Sequence, residues 1–421
     1  MEFCRGIDMS IAAPDILKKT LVMILAGGEG GRLYPLTKDR AKPAVPFGGI
    51  YRIIDFTLSN CLNSGLHKIV MLTQYKSMSL DRHIRLGWWN LFNIELGDYL
   101  EIIPPQWRIS HEWYRGTADA VYQNIYTLEM EKPEMVLILG GDHVYKMDYR
   151  KMLNFHLAKK ADMTVSCIDV PLGEAHRFGV MEIDEENRIT GFQEKPERAK
   201  PMPYDPGRVL ASMGLYLFNT RILVQRIIED SKTNSTHDFG RDIIRSMLGR
   251  DRIYAYNFED ENKKPVRYWR DIGTLDAYWE ANMDLVSVDP VFNLYDTAWP
   301  IRTHQEQFPP AKTVYVGNHE RMGEVSNSLI SAGCIISGAR VENSVLSPDV
   351  RIEVNSEISA AVIMDGVRIG RNVRIRKAIV DKRVYIPDGM VIGYNPEYDR
   401  KHFTVTENQV VVVPKELPII E

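Results

Sequence analysis

The sequence predicts an α/β protein in two parts. A mostly parallel sheet covered by helices on both faces comes first, and a triangular coil of short parallel strands follows. Two observations carry this. Apolar runs at 21–25, 68–73, 135–139 and 163–168 alternate with longer stretches of helical spacing, such as 117–131 and 221–229. Further on, Ile330, Ile336, Val341, Leu346, Ile352, Ile358, Ile363, Ile369, Ile375, Val380, Ile386 and Ile392 recur every five or six residues, with small or turn-forming residues between them. That period marks hexapeptide repeats. Antiparallel hairpins would place turn signals about every 8–12 residues.

The chain has 421 residues, enough for two domains. Residues 1–19 are a leader with charges throughout and no apolar segment of signal-peptide length. The α/β domain is expected over 20–289. An irregular linker containing Pro300, Pro309 and Pro310 is expected over 290–325, and the coil with a C-terminal tail over 326–421. Lys plus Arg total 52 against 56 Asp plus Glu, a net charge of −4. That balance leaves no electrostatic footprint for nucleic acid or an anionic membrane. Cys4, Cys61, Cys167 and Cys334 are far apart, which argues against a zinc site and a disulfide framework. With no membrane-spanning run in the sequence, the chain reads as cytoplasmic.

The first apolar run empties into Gly27, Gly28, Gly30 and Gly31, with Arg32 directly behind and Lys42 ten residues on. Such a loop presents successive N–H groups as an anion nest, and the two cations add side-chain charge. It is neither of two familiar phosphate loops. Arg32-Leu33 replaces the Gly-Lys-Ser/Thr ending of a Walker A loop, and Leu33 stands where the dinucleotide fingerprint needs its third glycine. Ligands of such sheets sit at the carboxyl ends of strands. Gly140-Gly141-Asp142-His143 follows another strand, so both loops should face one crevice. A carboxylate at 142 can hold Mg²⁺ against phosphate oxygens, or cap a helix. Asp271, in Tyr268-Trp269-Arg270-Asp271-Ile272-Gly273-Thr274, is the candidate second carboxylate. His143 and His237 receive no metal role. Trp88-Trp89 reads as core or interface.

Trp113-Tyr114-Arg115-Gly116-Thr117-Ala118-Asp119 opens a helix, with Thr117 as its cap. In Phe192-Gln193-Glu194-Lys195-Pro196, Lys195 can place a charge on a sugar phosphate and Glu194 can accept from sugar hydroxyls; the proline also suits a plain exposed turn. Ala211-Ser212-Met213-Gly214 should precede a strand, with the Ser212 hydroxyl within reach of the same sugar. Phe178-Gly179-Val180 offers a backbone approach without a side chain at Gly179.

The glycine loop with Pro35-Leu36-Thr37 and Lys42-Pro43 resembles the sugar-phosphate nucleotidyltransferases. Further ordered matches are Arg52 to Phe56, Thr73-Gln74-Tyr75, Trp113 to Val121, Glu194-Lys195-Pro196, His237 to Gly240 and Tyr268 to Thr274. The resemblance runs from about Thr20 to Val413 and points to the bacterial glucose-1-phosphate adenylyltransferase branch. The resemblance implies a Rossmann-like nucleotidyltransferase domain followed by a left-handed parallel β-helix. It implies transfer of AMP from ATP to α-D-glucose 1-phosphate, the glucosyl-donor step of glycogen biosynthesis. Gly27, Gly28, Gly30, Arg32 and Lys42 would contact the nucleotide, and Asp142 and Asp271 would hold Mg²⁺. Arg32, Lys42 and Asp142 would be catalytic. Tyr114, Gly179, Glu194, Lys195 and Ser212 would contact glucose 1-phosphate. Gln74 and Trp113 would couple an allosteric site for a phosphorylated or carboxylate effector to the active site of a homotetramer. Gly31 stands where the family often has Thr or Ser. Asp39 and Pro46 replace a lysine and a histidine used by enteric relatives for a sugar-bisphosphate activator, which weighs against fructose 1,6-bisphosphate. The rival readings are the same chemistry with another nucleoside triphosphate, a non-catalytic regulatory subunit, and a non-enzymatic assembly protein.

Overall fold

The computed structural model describes residues 14–106, 113–316 and 322–415. The leader expected over 1–19 therefore lies largely outside the described residues. Nine strands form the first sheet: β1 Thr20–Ala26, β2 Lys68–Thr73, β3 Tyr99–Ile103, β4 Met135–Gly140, β5 Met163–Pro171, β6 Gly179–Ile183, β7 Ile189–Glu194, β8 Arg208–Asn219 and β9 Ile253–Asn257. The order is β7-β6-β8-β4-β1-β2-β3, with β5 on the other side of β8 and β9 beyond it. The pairs β1·β2, β1·β4, β2·β3 and β5·β9 are parallel, whereas β8 runs antiparallel to β4, β5 and β6.

Alternation along β1 explains the two helical layers. Val22, Ile24 and Ala26 enter one core with Ile54 and Leu58 of the helix Ile53–Asn63. Leu21 and Met23 enter the other with Val121 of the helix Thr117–Gln123 and Leu223 of the helix Thr220–Ser231. Both faces of a parallel sheet must be covered, so its strands read as continuous apolar runs.

Two local readings need correction. The stretch 117–131 is two helices, Thr117–Gln123 and Ile125–Glu131. Asn124 Nδ2 donates to the Ala120 carbonyl at 2.8 Å, and such side-chain bonds compete with the helical ladder. Ser212 does not precede a strand. It lies inside β8, where the pairing with β5 slips between Ser212 and Leu215 and forms a bulge.

The coil has three faces of parallel strands. One face runs through 312–314, 335–337, 351–352, 368–369 and 385–386, and its register stacks Ile336 on Ile352, Ile369 and Ile386. These isoleucines are buried, as the six-residue spacing requires. The first coil strand, Lys312–Val314, falls within the stretch expected as linker; it pairs with Ile335–Ser337, and its Lys and Thr gave no aliphatic signal.

The coil is fastened to the first domain. Leu33, Phe47, Ile53 and Tyr278 share one core cluster with Val345, Val362, Ile379 and Val412. Within that junction, Arg40 Nη2 reaches both carboxylate oxygens of Asp381, at 2.7 and 2.9 Å. Among the described residues, no helix is long and apolar enough to cross a membrane.

Candidate active site

The glycine loop leaves the carboxyl end of β1. Gly30 has φ +67°, a left-handed conformation, and a Cβ there would lie 3.0 Å from Thr37 Cγ2 and 3.3 Å from Lys42 Cβ. Thr37 Oγ1 donates to the Gly30 carbonyl at 2.9 Å, which fixes the loop exit. Positions 28 and 31 face open space, and Arg32 is exposed beside them. The Arg32 Nη2 atom lies 3.7 Å from the position a Cβ would take at Gly273, so the guanidinium reaches the loop after Asp271.

Two carboxylates meet Lys42 here. Its Nζ donates to Asp142 Oδ2 at 2.6 Å and to Asp271 Oδ1 at 3.1 Å. Topology brings them together. Asp142 follows β4, and the short ribbon Trp269–Asp271 pairs antiparallel with His143–Tyr145, placing Asp271 opposite His143. Burial would raise the Asp142 carboxyl, but the ammonium of Lys42 and the neighbouring His143 outweigh it and hold it at about 2. Burial likewise opposes charge on Lys42, yet the two carboxylates keep its pKa above the ordinary lysine value.

Asp142, His143 and Asp271 each turn a potential ligand atom into a space where these atoms lie within 4.8 Å of one another. The donor set suits a divalent cation, because two ionised carboxylates are hard oxygen ligands and already attract a cationic group. His143 joins the cluster although the sequence gave it no such role. Its Nε2 is 3.5 Å from Asp142 Oδ1, while its buried Nδ1 has no hydrogen-bond partner among the described residues. A metal-ligating histidine ordinarily donates its other ring nitrogen to a second partner, which His143 lacks.

The residues expected on the sugar side adjoin this cluster through packed aromatic rings. His143 packs edge-on against Trp269 at 5.3 Å, and Trp269 lies 5.8 Å from Phe178. Gly179 pairs with Glu194 across β6 and β7, and Glu194 Oε1 accepts from Arg241 Nη2 at 3.3 Å. Lys195 lies in an exposed bend just after β7, and its N–H donates to the Phe178 carbonyl at 3.0 Å. In the β8 bulge, Ser212 Oγ accepts from the Gly214 N–H at 3.2 Å. The sequence gave no role to Trp269 or Arg241, although Trp269 lies within the Tyr268–Thr274 motif and Arg241 directly follows Gly240.

Gln74 bridges two segments. Its Cβ would stand 3.0 Å from a Cβ at Gly27, and its Oε1 accepts from the Tyr114 N–H at 3.1 Å. Tyr114 Oη accepts from Asn124 Nδ2 at 3.0 Å. Trp113, half exposed, stacks on Tyr75 at 4.9 Å. Thr117 is not the helix cap. That position is Gly116, where a Cβ would come within 2.3 Å of the Thr236 carbonyl oxygen. Thr117 Oγ1 donates instead to Asp238 Oδ2 at 3.0 Å. Asp39 is exposed and pairs with Lys415 at 3.4 Å, and Pro46 is buried, its carbonyl accepting from Tyr278 Oη at 2.7 Å. Trp88 is buried and donates to Asp55 at 2.9 Å, whereas Trp89 is exposed.

A nucleotidyl transferase family model matches residues 21–288, and a GlmU-like C-terminal hexapeptide model matches residues 309–413. Glucose-1-phosphate adenylyltransferase from Koribacter versatilis is 54% identical over 405 residues, covering 96% of this chain and 97% of the relative. The chain belongs to the glucose-1-phosphate adenylyltransferase family. The enzyme of that name from Rhodopirellula baltica is 52% identical, covering 95% of this chain and 91% of the relative. The one from Anaeromyxobacter sp. is 51% identical, covering 96% of this chain and the whole of the relative. Both parts of the family architecture are therefore present in one chain, in the order the fold displays.

Proposed function

We propose that this protein transfers the AMP moiety of ATP to α-D-glucose 1-phosphate, releasing pyrophosphate and forming ADP-glucose for glycogen synthesis. The observation that carries this reading is the meeting of Lys42, Asp142 and Asp271 at the mouth of the glycine loop. A nucleotide triphosphate lying along Gly27, Gly28 and Gly30 would bring its phosphates to that point. Family membership supplies the substrate pair.

The nucleophile is a phosphate oxygen of the sugar, already anionic at neutral pH, so the reaction needs no general base. It attacks the α-phosphorus of ATP, the new P–O bond forms, and the bond to the β-phosphate oxygen breaks. The task is alignment and charge neutralisation. Arg32 and Lys42 supply positive charge to the phosphates. Asp142 and Asp271 would hold Mg²⁺, which when bound neutralises phosphate oxygens. Glu194 and Ser212 would orient the sugar hydroxyls, Tyr114 would pack beside the sugar, and the backbone at Gly179 would approach it. Lys195 would hold the sugar phosphate as a point charge. Replacing Lys195 by Gln should then raise KM for glucose 1-phosphate by about 10- to 100-fold, the worth of one charge-assisted contact, and leave KM for ATP nearly unchanged. Initial rates at varied concentrations of each substrate check this; equal effects on both would contradict the role.

The domain junction supports the proposal that an anionic effector binds there. Arg52 and Lys382 lie near one another at the junction, beside Arg40, which Asp381 already pairs. Burial lowers the Lys382 pKa, and the like charges of Arg52 and Arg40 add to that even though Asp365 pairs with it at 2.5 Å. A phosphorylated or carboxylate metabolite would relieve the repulsion. Gln74 touches both the glycine loop and the Tyr114 segment, and Trp113 flanks it. Gln74→Ala should therefore blunt activation and spare basal rate. Asp39 and Pro46 make fructose 1,6-bisphosphate a poor activator; titrating the rate with it, with fructose 6-phosphate and with pyruvate checks both points. A homotetramer in the cytoplasm completes the reading.

A further inference from the structure

The two carboxylates proposed to hold a divalent cation already hold a cation of the protein's own. Lys42 Nζ sits 2.6 Å from Asp142 Oδ2 and 3.1 Å from Asp271 Oδ1. The lysine side chain is only 11% exposed, against 33% and 42% for the carboxylates, so water screens it little. The remaining oxygen of Asp142, Oδ1, lies 3.5 Å from His143 Nε2, so a cation reaching it would still share the pocket with the ammonium. A divalent ion bound by these oxygens at about 2.0–2.1 Å would meet the ammonium at close range, and neither screening nor distance would offset the repulsion.

Where the ammonium can go follows from its root. Lys42 Cβ lies 3.3 Å from the position of a Cβ at Gly30, so the flexible four-carbon stem starts at the glycine loop itself. Rotation about that stem would carry the ammonium off the carboxylates and towards the loop from which the stem starts. Without an anion there, the move breaks the bonds to Asp142 and Asp271 and leaves the two carboxylates without their counter-charge. With a nucleotide's phosphates there, the charge gains partners as it leaves.

We infer that Lys42 is a resident counter-cation that excludes free divalent metal from the Asp142–Asp271 pair and releases the pair only when nucleotide phosphates draw the ammonium away. This rests on the metal reading above and adds an order of events. Metal loads with the nucleotide and not before it. Lys42 thus has two positions, one closing the empty site and one serving the loaded one.

The test measures Mn²⁺ retained by the full-length protein, independent of turnover. Mn²⁺ is titrated calorimetrically into the wild type, Lys42→Met and Lys42→Arg, all without nucleotide. The lysine-free variant should bind Mn²⁺ at least about tenfold more tightly than the wild type, since an opposing unit charge has been removed at close range. The arginine variant should remain weak. Adding Asp142→Asn to Lys42→Met should abolish the gain. A parallel measurement needs no variant: the wild type is passed through a desalting column with Mn²⁺ alone, or with Mn²⁺ and a non-hydrolysable ATP analogue. Retention only with the analogue supports the inference. Equal retention in both, or equal affinity of wild type and Lys42→Met, overturns the exclusion by Lys42 and leaves the metal site standing. Retention in neither, together with no binding by Lys42→Met, overturns the metal site and the inference with it.

Discussion

Asp142→Asn should lower kcat by about 10²–10³ or more while the protein stays folded. The substitution preserves shape and removes the charge that Lys42 and the proposed metal both use. The Asp142 carboxyl is held at about 2, so it is ionised throughout the working pH range, and no change of pH mimics the loss. Its depressed pKa adds stability that is present above the ordinary aspartate value near 3.8 and lost as pH falls towards 2. At neutral pH the variant loses that small contribution, and Lys42 keeps Asp271 as a partner. A circular-dichroism melt beside the rate measurement separates the two effects. A folded Asp142→Asn protein of full activity would remove Asp142 from the mechanism.

The second large effect concerns stability. Arg40 and Asp381 are each 3% exposed and joined by two bonds across the junction of sheet and coil. Arg40→Ala leaves the Asp381 carboxylate buried and uncompensated, apart from the Lys382 N–H at 2.7 Å. Breaking such a pair costs about 3–5 kcal/mol, whereas replacing both partners by apolar residues of similar volume is often close to neutral. Arg40→Ala should therefore unfold at markedly lower denaturant, and Arg40→Met with Asp381→Leu should recover most of the loss. Equal stability of Arg40→Ala and the wild type would show that the junction is held by its apolar cluster alone.

The sequence made some of this legible for definite physical reasons. The runs at 21–25, 68–73, 135–139 and 163–168 are apolar because both sheet faces are covered, so each emerged as a strand. The coil was legible because its inward positions recur with every side of the triangle. Conversely, the bulge at Ser212 depends on partner strands, and a single stretch of sequence does not display its partners. The break at Asn124 goes with side-chain bonds to the Ala120 carbonyl and the Tyr114 hydroxyl. Lys42, Asp142 and Asp271 were each picked out, but their meeting spans 100 and 229 residues of chain and needed the ribbon that sets Asp271 opposite His143. The Arg40–Asp381 pair, 341 residues apart, had no local signal at all.

Nucleotidyl transfer from ATP to a sugar 1-phosphate is read out by a pyrophosphate-release assay. Purified protein with Mg²⁺ is given α-D-glucose 1-phosphate and each of ATP, UTP, GTP and dTTP, and the sugar nucleotide formed is identified by mass. Stoichiometric pyrophosphate and ADP-glucose are expected with ATP, no release without the sugar phosphate, and at least about tenfold slower release with the other nucleotides, since tenfold in kcat/KM is about 1.4 kcal/mol of discrimination. Faster release with UTP, GTP or dTTP, or no release with any nucleotide from folded protein, would contradict it.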